Sequence, residues 1–421
     1  MKVLIKQATI VSSSSPFNGQ IKDIFIQDGT IHSIADDISE EADQVIEFPG
    51  LCVSIGWMDV FAHFCDPGYE YRETIASGSR AAAAGGFTDV MLVPNTNPVV
   101  HTKSQVEYIV NKSAAHEVNI HPIGAVTKNA EGKDLAEMYD MHQSGAIAFS
   151  DGISAIQDGG LLLKALQYVK AIDGTIIQIP EDKSIGGSGL MNEGIISTRL
   201  GLPGKPALAE ELMVARDIKL THYAGSKIHF TGISTEKSIE YIRNAKADGL
   251  RVTCSVTPYH LTFIDEDLQQ YDTNLKVNPP LRTHADRAAL QQALLDGTID
   301  CIASHHIPQD YDNKVCEFEY AKYGMTGLEN VFGSTWPLVK HEWEVSKLVD
   351  LLSIAPRKLF GLDVPEIKEG TPALLTLFNP SVETIFEEKD IRSKSKNSAF
   401  IGKSLSGKVI GIINGNKIFL N

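Results

Sequence analysis

Between residues 51 and 364, short apolar runs alternate with longer stretches in which apolar residues recur at helical spacing. That alternation predicts parallel β/α units. Eight strands are expected, over 57–63, 90–94, 120–126, 146–151, 176–180, 228–233, 252–256 and 301–305. The helices expected between them span 72–84, 104–116, 135–142, 161–171, 207–216, 235–247 and 285–295. Eight such units over about 300 residues predict a (β/α)8 TIM barrel, whose chemistry belongs at the carboxyl ends of the strands.

The two ends of the chain follow a different rhythm. Residues 1–50 contain VLIKQATIV and IKDIFIQDGTIHSIA, where apolar and polar residues alternate as in half-buried strands. Residues 365–421 repeat that pattern with Asn-Gly and Ser-Gly turns. The expectation is a small flanking β-sandwich built from both termini, 1–50 and 365–421, beside a barrel domain over 51–364.

Composition narrows the class. The chain has 421 residues, 43% of them hydrophobic, enough for a large core. Its 38 basic and 53 acidic residues leave a net charge of −15, and no basic run with interleaved aromatics is present, so nucleic acid is not an expected partner. No stretch reaches the length of a membrane span, and no membrane partner is expected. Five cysteines without paired spacing fit free thiols and a cytoplasmic protein.

The candidate chemistry lies at the strand tips. In DVFAHFCDPG the first strand ends as a His-x-His metal pair would, except that Phe61 stands where the first imidazole is needed. Only His63 remains to donate. The fourth strand ends in Ser150-Asp151 and the eighth in Ser304-His305-His306, while the fifth and sixth offer little to coordinate an ion.

These residues carry a resemblance. DPGYEYRETIASGSRAAAAGGFTDVMLVPNTNPV, GLPGKPALAEELMVARDI, VTPYHLTF, NLKVNPPLRTHADRAAL, YGMTGLENVF and SKSKNSAFIGKSLSGKVIG, in this order, make the chain similar to the dihydroorotases of the cyclic amidohydrolase superfamily, in the form related to multifunctional pyrimidine-synthesis complexes. The resemblance implies a zinc site at the barrel mouth, with His63 and Asp151 at two of its ligand positions. Four other ligand positions hold Phe61, Ile179, Gly232 and His305. Cys65 stands where the family's substrate-gripping arginine belongs, and Gln309 where a substrate-binding histidine belongs. Asn95 and Asn278 match substrate contacts, and residues 323–328 match a closing loop.

A catalytic zinc wants about three protein ligands and an open position. The expectation is therefore a dihydroorotase-like pseudoenzyme with a degraded zinc site, no metal and no catalytic residue. It would serve as a structural partner, for example of aspartate transcarbamoylase, and be a homodimer by family default. Two alternatives stay open. One is an active cyclic amidohydrolase with a mononuclear zinc on His63, Asp151 and His305. The other is a metabolite-binding regulator using Asn95, Asn278 and the loop at Tyr323. For His63 the expected partner is a backbone group or a carboxylate, and Asp151 is expected to brace the mouth, through His63 itself.

Overall fold

Trp57–Ala62, buried at every position, begins an eight-stranded sheet whose ladders are all parallel. The computed structural model describes residues 1–421. The seven later strands are Phe87–Leu92, Asn119–Gly124, Ala148–Phe149, Ile176–Gln178, Ile228–Phe230, Val252–Val256 and Cys301–Ile302, each pairing with the one before it. The sheet curls until its edges meet. Ala62 bridges His306, the His63 amide donates to the His306 carbonyl at 2.8 Å, and the eight strands form a nearly closed TIM barrel. Asp59 pins the same seam, its carboxylate accepting from the Ser304 amide at 2.6 Å and the Ser304 hydroxyl at 2.8 Å.

The strands are shorter than the apolar runs that encode them. The run at 146–151 yields only Ala148–Phe149 as strand, although the Ser150 amide still donates to the Gly124 carbonyl at 2.9 Å. Helices follow the periodicity more closely. Thr74 caps Ile75–Ala84 by accepting from the Ser77 amide, which starts that helix three residues later than the pattern at 72–84 predicts. The helix expected over 207–216 runs from Leu208 to Ala224, where Gly225 in the left-handed region ends it.

The two chain ends pair into one eight-stranded mixed sheet. Its joint is Cys52–Ile55, which pairs in parallel with Lys2–Ile10 on one side and antiparallel to Leu374–Ile385 on the other. The change from terminal sheet to barrel falls at Gly56, between Cys52–Ile55 and Trp57–Ala62. Trp57 fills the junction, packing against Phe332 at 5.0 Å and Phe378 at 5.5 Å between ring centroids. No helix is long and apolar enough to cross a membrane, and all five cysteines are free.

Candidate functional site

His63 follows directly on the first barrel strand. Cys65 adopts a left-handed backbone, φ 59°, which turns its amide back toward the His63 ring. That amide donates to Nδ1 at 2.8 Å. An N–H can only donate, so Nδ1 supplies its lone pair and the ring proton sits on Nε2, which donates to the Asn95 carbonyl at 3.0 Å. Both ring nitrogens of His63 are thus bonded to backbone. Burial, and then the charge of Arg72, push its pKa down to about 3. The Cys65 thiol is pushed up to about 12 by burial and stays protonated at neutral pH.

Asp151 is held by Thr127, not by His63 as expected. Its two carboxylate oxygens accept from the Thr127 amide at 2.9 Å and the Thr127 hydroxyl at 2.5 Å, and the side chain is buried. The preceding strands place Thr127 and Asp151 side by side at the mouth, and a hydroxyl next to a backbone N–H satisfies a carboxylate without a cation.

The segment after the eighth strand delivers two imidazoles in opposite directions, His305 adopting a left-handed backbone, φ 43°. His306 turns toward Glu73, with 3.4 Å between Nε2 and the carboxylate, and its Nδ1 accepts from the Gly327 amide. His305 turns inward and lies on Phe61, ring centroids 4.5 Å apart and planes 30° apart. Gly232 makes room for it. A Cβ at Gly232 would fall 2.5 Å from the His305 ring, so a side chain there and this histidine rotamer exclude each other. Ile179 and Phe61 belong to one apolar cluster with Met91, Ile123 and Phe360 inside the barrel.

Beneath His305 runs a chain of hydroxyls and imidazoles. The Ser255 hydroxyl donates to Thr231 Oγ1 at 2.8 Å, leaving the Thr231 proton for His305 Nε2 at 2.7 Å. His229 closes the other end, bonded to Thr253 at 2.9 Å and Ser255 at 3.1 Å. This order puts the His305 proton on Nδ1, which is buried without a partner. Burial lowers the pKa of both histidines to about 3.

The remaining matched positions are also engaged by protein. Asn95 donates to the Asp151 carbonyl at 3.0 Å and accepts from the Ile153 amide at 2.9 Å, tying the second strand's loop to the fourth. Asn278 accepts from Lys205 Nζ at 2.7 Å and donates to Glu181 at 2.8 Å. Lys205 and Glu181 are themselves an ion pair. Gln309 donates to the Tyr323 carbonyl at 2.7 Å and accepts from Arg72 Nη1 at 3.3 Å. Arg72, Thr127, Thr231 and Lys205 were not singled out by the sequence pattern. Threonine and lysine at strand or loop ends carry no distinctive spacing, and Arg72 reads as the start of a helix that in fact begins at Ile75.

No three His, Cys, Asp or Glu side chains are grouped so as to hold a metal ion anywhere in the chain. Above these residues a cavity of about 580 Å³ opens at the strand ends, with His63, Asn95, Ile179 and Asn278 in its walls.

The chain is 40% identical over 423 residues to a dihydroorotase of Citrifermentans bemidjiense, covering the whole of both chains. It is 41% identical over 411 residues to a dihydroorotase of Ruminiclostridium cellulolyticum, covering 97% of this chain and 96% of that one. The chain belongs to the dihydroorotase family. The pattern that defines dihydro-orotase-like proteins matches residues 50–238. Among solved structures, an L-hydantoinase (dihydropyrimidinase) from Arthrobacter aurescens superposes with a TM-score of 0.85 at 23% identity, covering 100% of this chain and 96% of that chain. A D-hydantoinase superposes at 0.83 with 21% identity, covering 100% and 95%. These structures establish the amidohydrolase fold for this dihydroorotase homologue, from barrel to terminal sheet.

Proposed function

We propose that this dihydroorotase-family protein of pyrimidine biosynthesis is not a zinc hydrolase and works as a structural partner, for example of aspartate transcarbamoylase, as a cytoplasmic homodimer. The observation that carries the reading is the state of His63: its lone pair is taken by the Cys65 amide and its proton by the Asn95 carbonyl. Zinc needs a free lone pair from each ligand and typically about three such ligands from the protein. Phe61, Ile179 and Gly232 have none to give, and Asp151 is satisfied by Thr127. The residues present do not fit a catalytic zinc, so no step through one is derived.

The alternative, a mononuclear zinc on His63, Asp151 and His305, finds support in one atom, the unpartnered Nδ1 of His305. In the tautomer set by Thr231 that nitrogen carries a proton rather than a lone pair. A zinc there would have to displace the Cys65 amide and the Thr127 bonds and at the same time reverse the direction of the Thr231 bond.

The deciding experiment incubates the purified full chain, with added zinc, with dihydroorotate and with carbamoyl aspartate, and separately sediments it with aspartate transcarbamoylase. The expected result is no turnover in either direction and co-sedimentation. Turnover abolished by a chelator overturns the non-catalytic reading, and independent sedimentation overturns the partnership.

A further inference from the structure

The long loop after the eighth barrel strand turns large apolar side chains into solvent. Over residues 311–320 Tyr311 is 74%, Tyr320 72% and Val315 60% exposed, and the other exposed positions are Asp312, Glu317 and Glu319. Lys314, the one lysine of the stretch, is buried. The chain supplies no ion-pair partner to any of the three carboxylates.

The loop is anchored from beneath. Phe318 is buried in a cluster with Leu275 and Tyr259. Lys276 Nζ donates to the Phe318 and Glu319 carbonyls at 2.6 and 3.0 Å, and Lys314 Nζ donates to the Thr273 carbonyl at 2.7 Å. The Thr273 hydroxyl donates back to the Lys314 carbonyl at 2.6 Å. Backbone bonds from the Val315 amide to Tyr311 and from the Lys322 amide to Asn313, 2.8 and 3.0 Å, close the loop on itself. Tyr271 joins the face from the neighbouring loop, in a left-handed backbone, φ 54°, that bulky residues seldom adopt. Its ring, 45% exposed, meets Phe318 edge-on at 6.5 Å between centroids. Both buried lysines are thus spent on carbonyls that hold the loop in shape, and the rings above it are displayed on a fixed support. Tyrosines so held lose little freedom when they are covered, and such residues dominate protein interfaces.

Charge decides what covers them. A second copy of the same face, a nucleic acid or an anionic membrane would set negative charge against Asp312, Glu317 and Glu319. A protein surface with cations around an apolar pocket satisfies both halves of the pattern, because its cations pair with the carboxylates and lie over the tyrosine rings. We propose that the outer face of residues 311–320, with Tyr271 beside it, docks a different protein, through a surface on which arginine or lysine side chains surround an apolar pocket. The inference rests on the structural-partner reading above and names the face through which that partnership is made.

The test titrates the full chain with aspartate transcarbamoylase in a sedimentation experiment, at about 0.05 M and about 0.5 M salt. A complex is expected, at least about tenfold weaker at the higher salt. Tyr311→Ser combined with Tyr320→Ser should weaken it about ten- to a hundredfold. Asp312→Asn, Glu317→Gln and Glu319→Gln together should remove most of the salt dependence. Tyr223→Ser, which alters a tyrosine 76% exposed on the helix Leu208–Ala224, should bind like the parent. Amide exchange of the parent complex should show new protection over 311–320, with no variant involved. If the complex forms but those amides stay unprotected, if the paired tyrosine variant binds like the parent, or if salt leaves binding unchanged, this face is overturned while the partnership stands. If no complex forms at either salt, the partnership itself fails and the docking face falls with it.

Discussion

The His305 ring lies flat against Phe61, 4.5 Å between centroids, in space that Gly232 leaves open. Three positions at which the dihydroorotase resemblance implies ligands have thus become one packing unit: a phenyl ring, an imidazole stacked on it, and a glycine with φ +69° that admits both.

That unit predicts a coupling. Gly232→Ala forces a Cβ to within 2.5 Å of His305 and strains a left-handed backbone, and should destabilise the protein by about 1–3 kcal/mol. Paired with His305→Ala, which removes the obstructing ring, the double variant should lose clearly less than the sum of the two single losses. Urea unfolding of the four proteins checks this, and strict additivity would show that the ring and the glycine are independent.

The barrel seam makes a second prediction. Asp59 is fully buried and gives Ser304 both of its acceptors, at 2.6 and 2.8 Å. Asp59→Asn turns one acceptor into a donor facing an N–H or O–H, and should cost about 1–3 kcal/mol. Amide exchange should show the Ser304 and His306 region opening sooner, while the terminal sheet keeps its protection.

Acid should weaken this fold before most carboxylates begin to titrate. His63, His229 and His305 are pushed down to about 3 and His260 to about 4, all chiefly by burial. An unfolded histidine takes up its proton near pH 6.5 while these four remain neutral, so the unfolded state binds more protons and stability falls as pH drops from about 6.5 toward 4. Each contributes a slope approaching about 1.4 kcal/mol per pH unit below the unfolded value. Asp217, raised by burial to about 6, works the other way below that pH, and Asp59, Asp151, Asp300 and Glu329, also raised by burial, offset part of the loss as their own range is reached. Urea midpoints at pH 7, 6 and 5 should decline steadily. A flat or rising series would contradict the neutral histidines.

Much of the barrel was legible because apolar runs and helical periods alternate eight times, and a ladder of parallel strands has few other ways to bury such runs. That Phe61, Ile179 and Gly232 lack side-chain donors was equally legible, since it holds in any fold. What spacing could not reveal is where the surviving polar groups point. His63 is silenced by the amide of Cys65, and that depends on a left-handed turn that nothing about cysteine predicts. Asp151 meets Thr127 across two strands, and Arg72 reaches Gln309 from 237 residues away. Such contacts follow from closure of the barrel rather than from local pattern.

A further paired substitution examines His63 itself. Its ring satisfies the Cys65 amide and the Asn95 carbonyl, both at the buried mouth. His63→Ala leaves both unmet and should cost about 1–3 kcal/mol. His63→Gln, able to accept and donate, should recover part of that loss. If both variants are as stable as the parent, the ring is not the strut described here.

Metal content gives the most direct test of the account. The full chain, produced in medium supplemented with zinc and passed through a desalting column, is measured by mass spectrometry of its metals. Far less than one zinc per chain is predicted, because His63, Asp151 and His305 have their bonding positions occupied or protonated. One tightly held zinc per chain, lost when His63 or His305 is replaced by alanine, would contradict it.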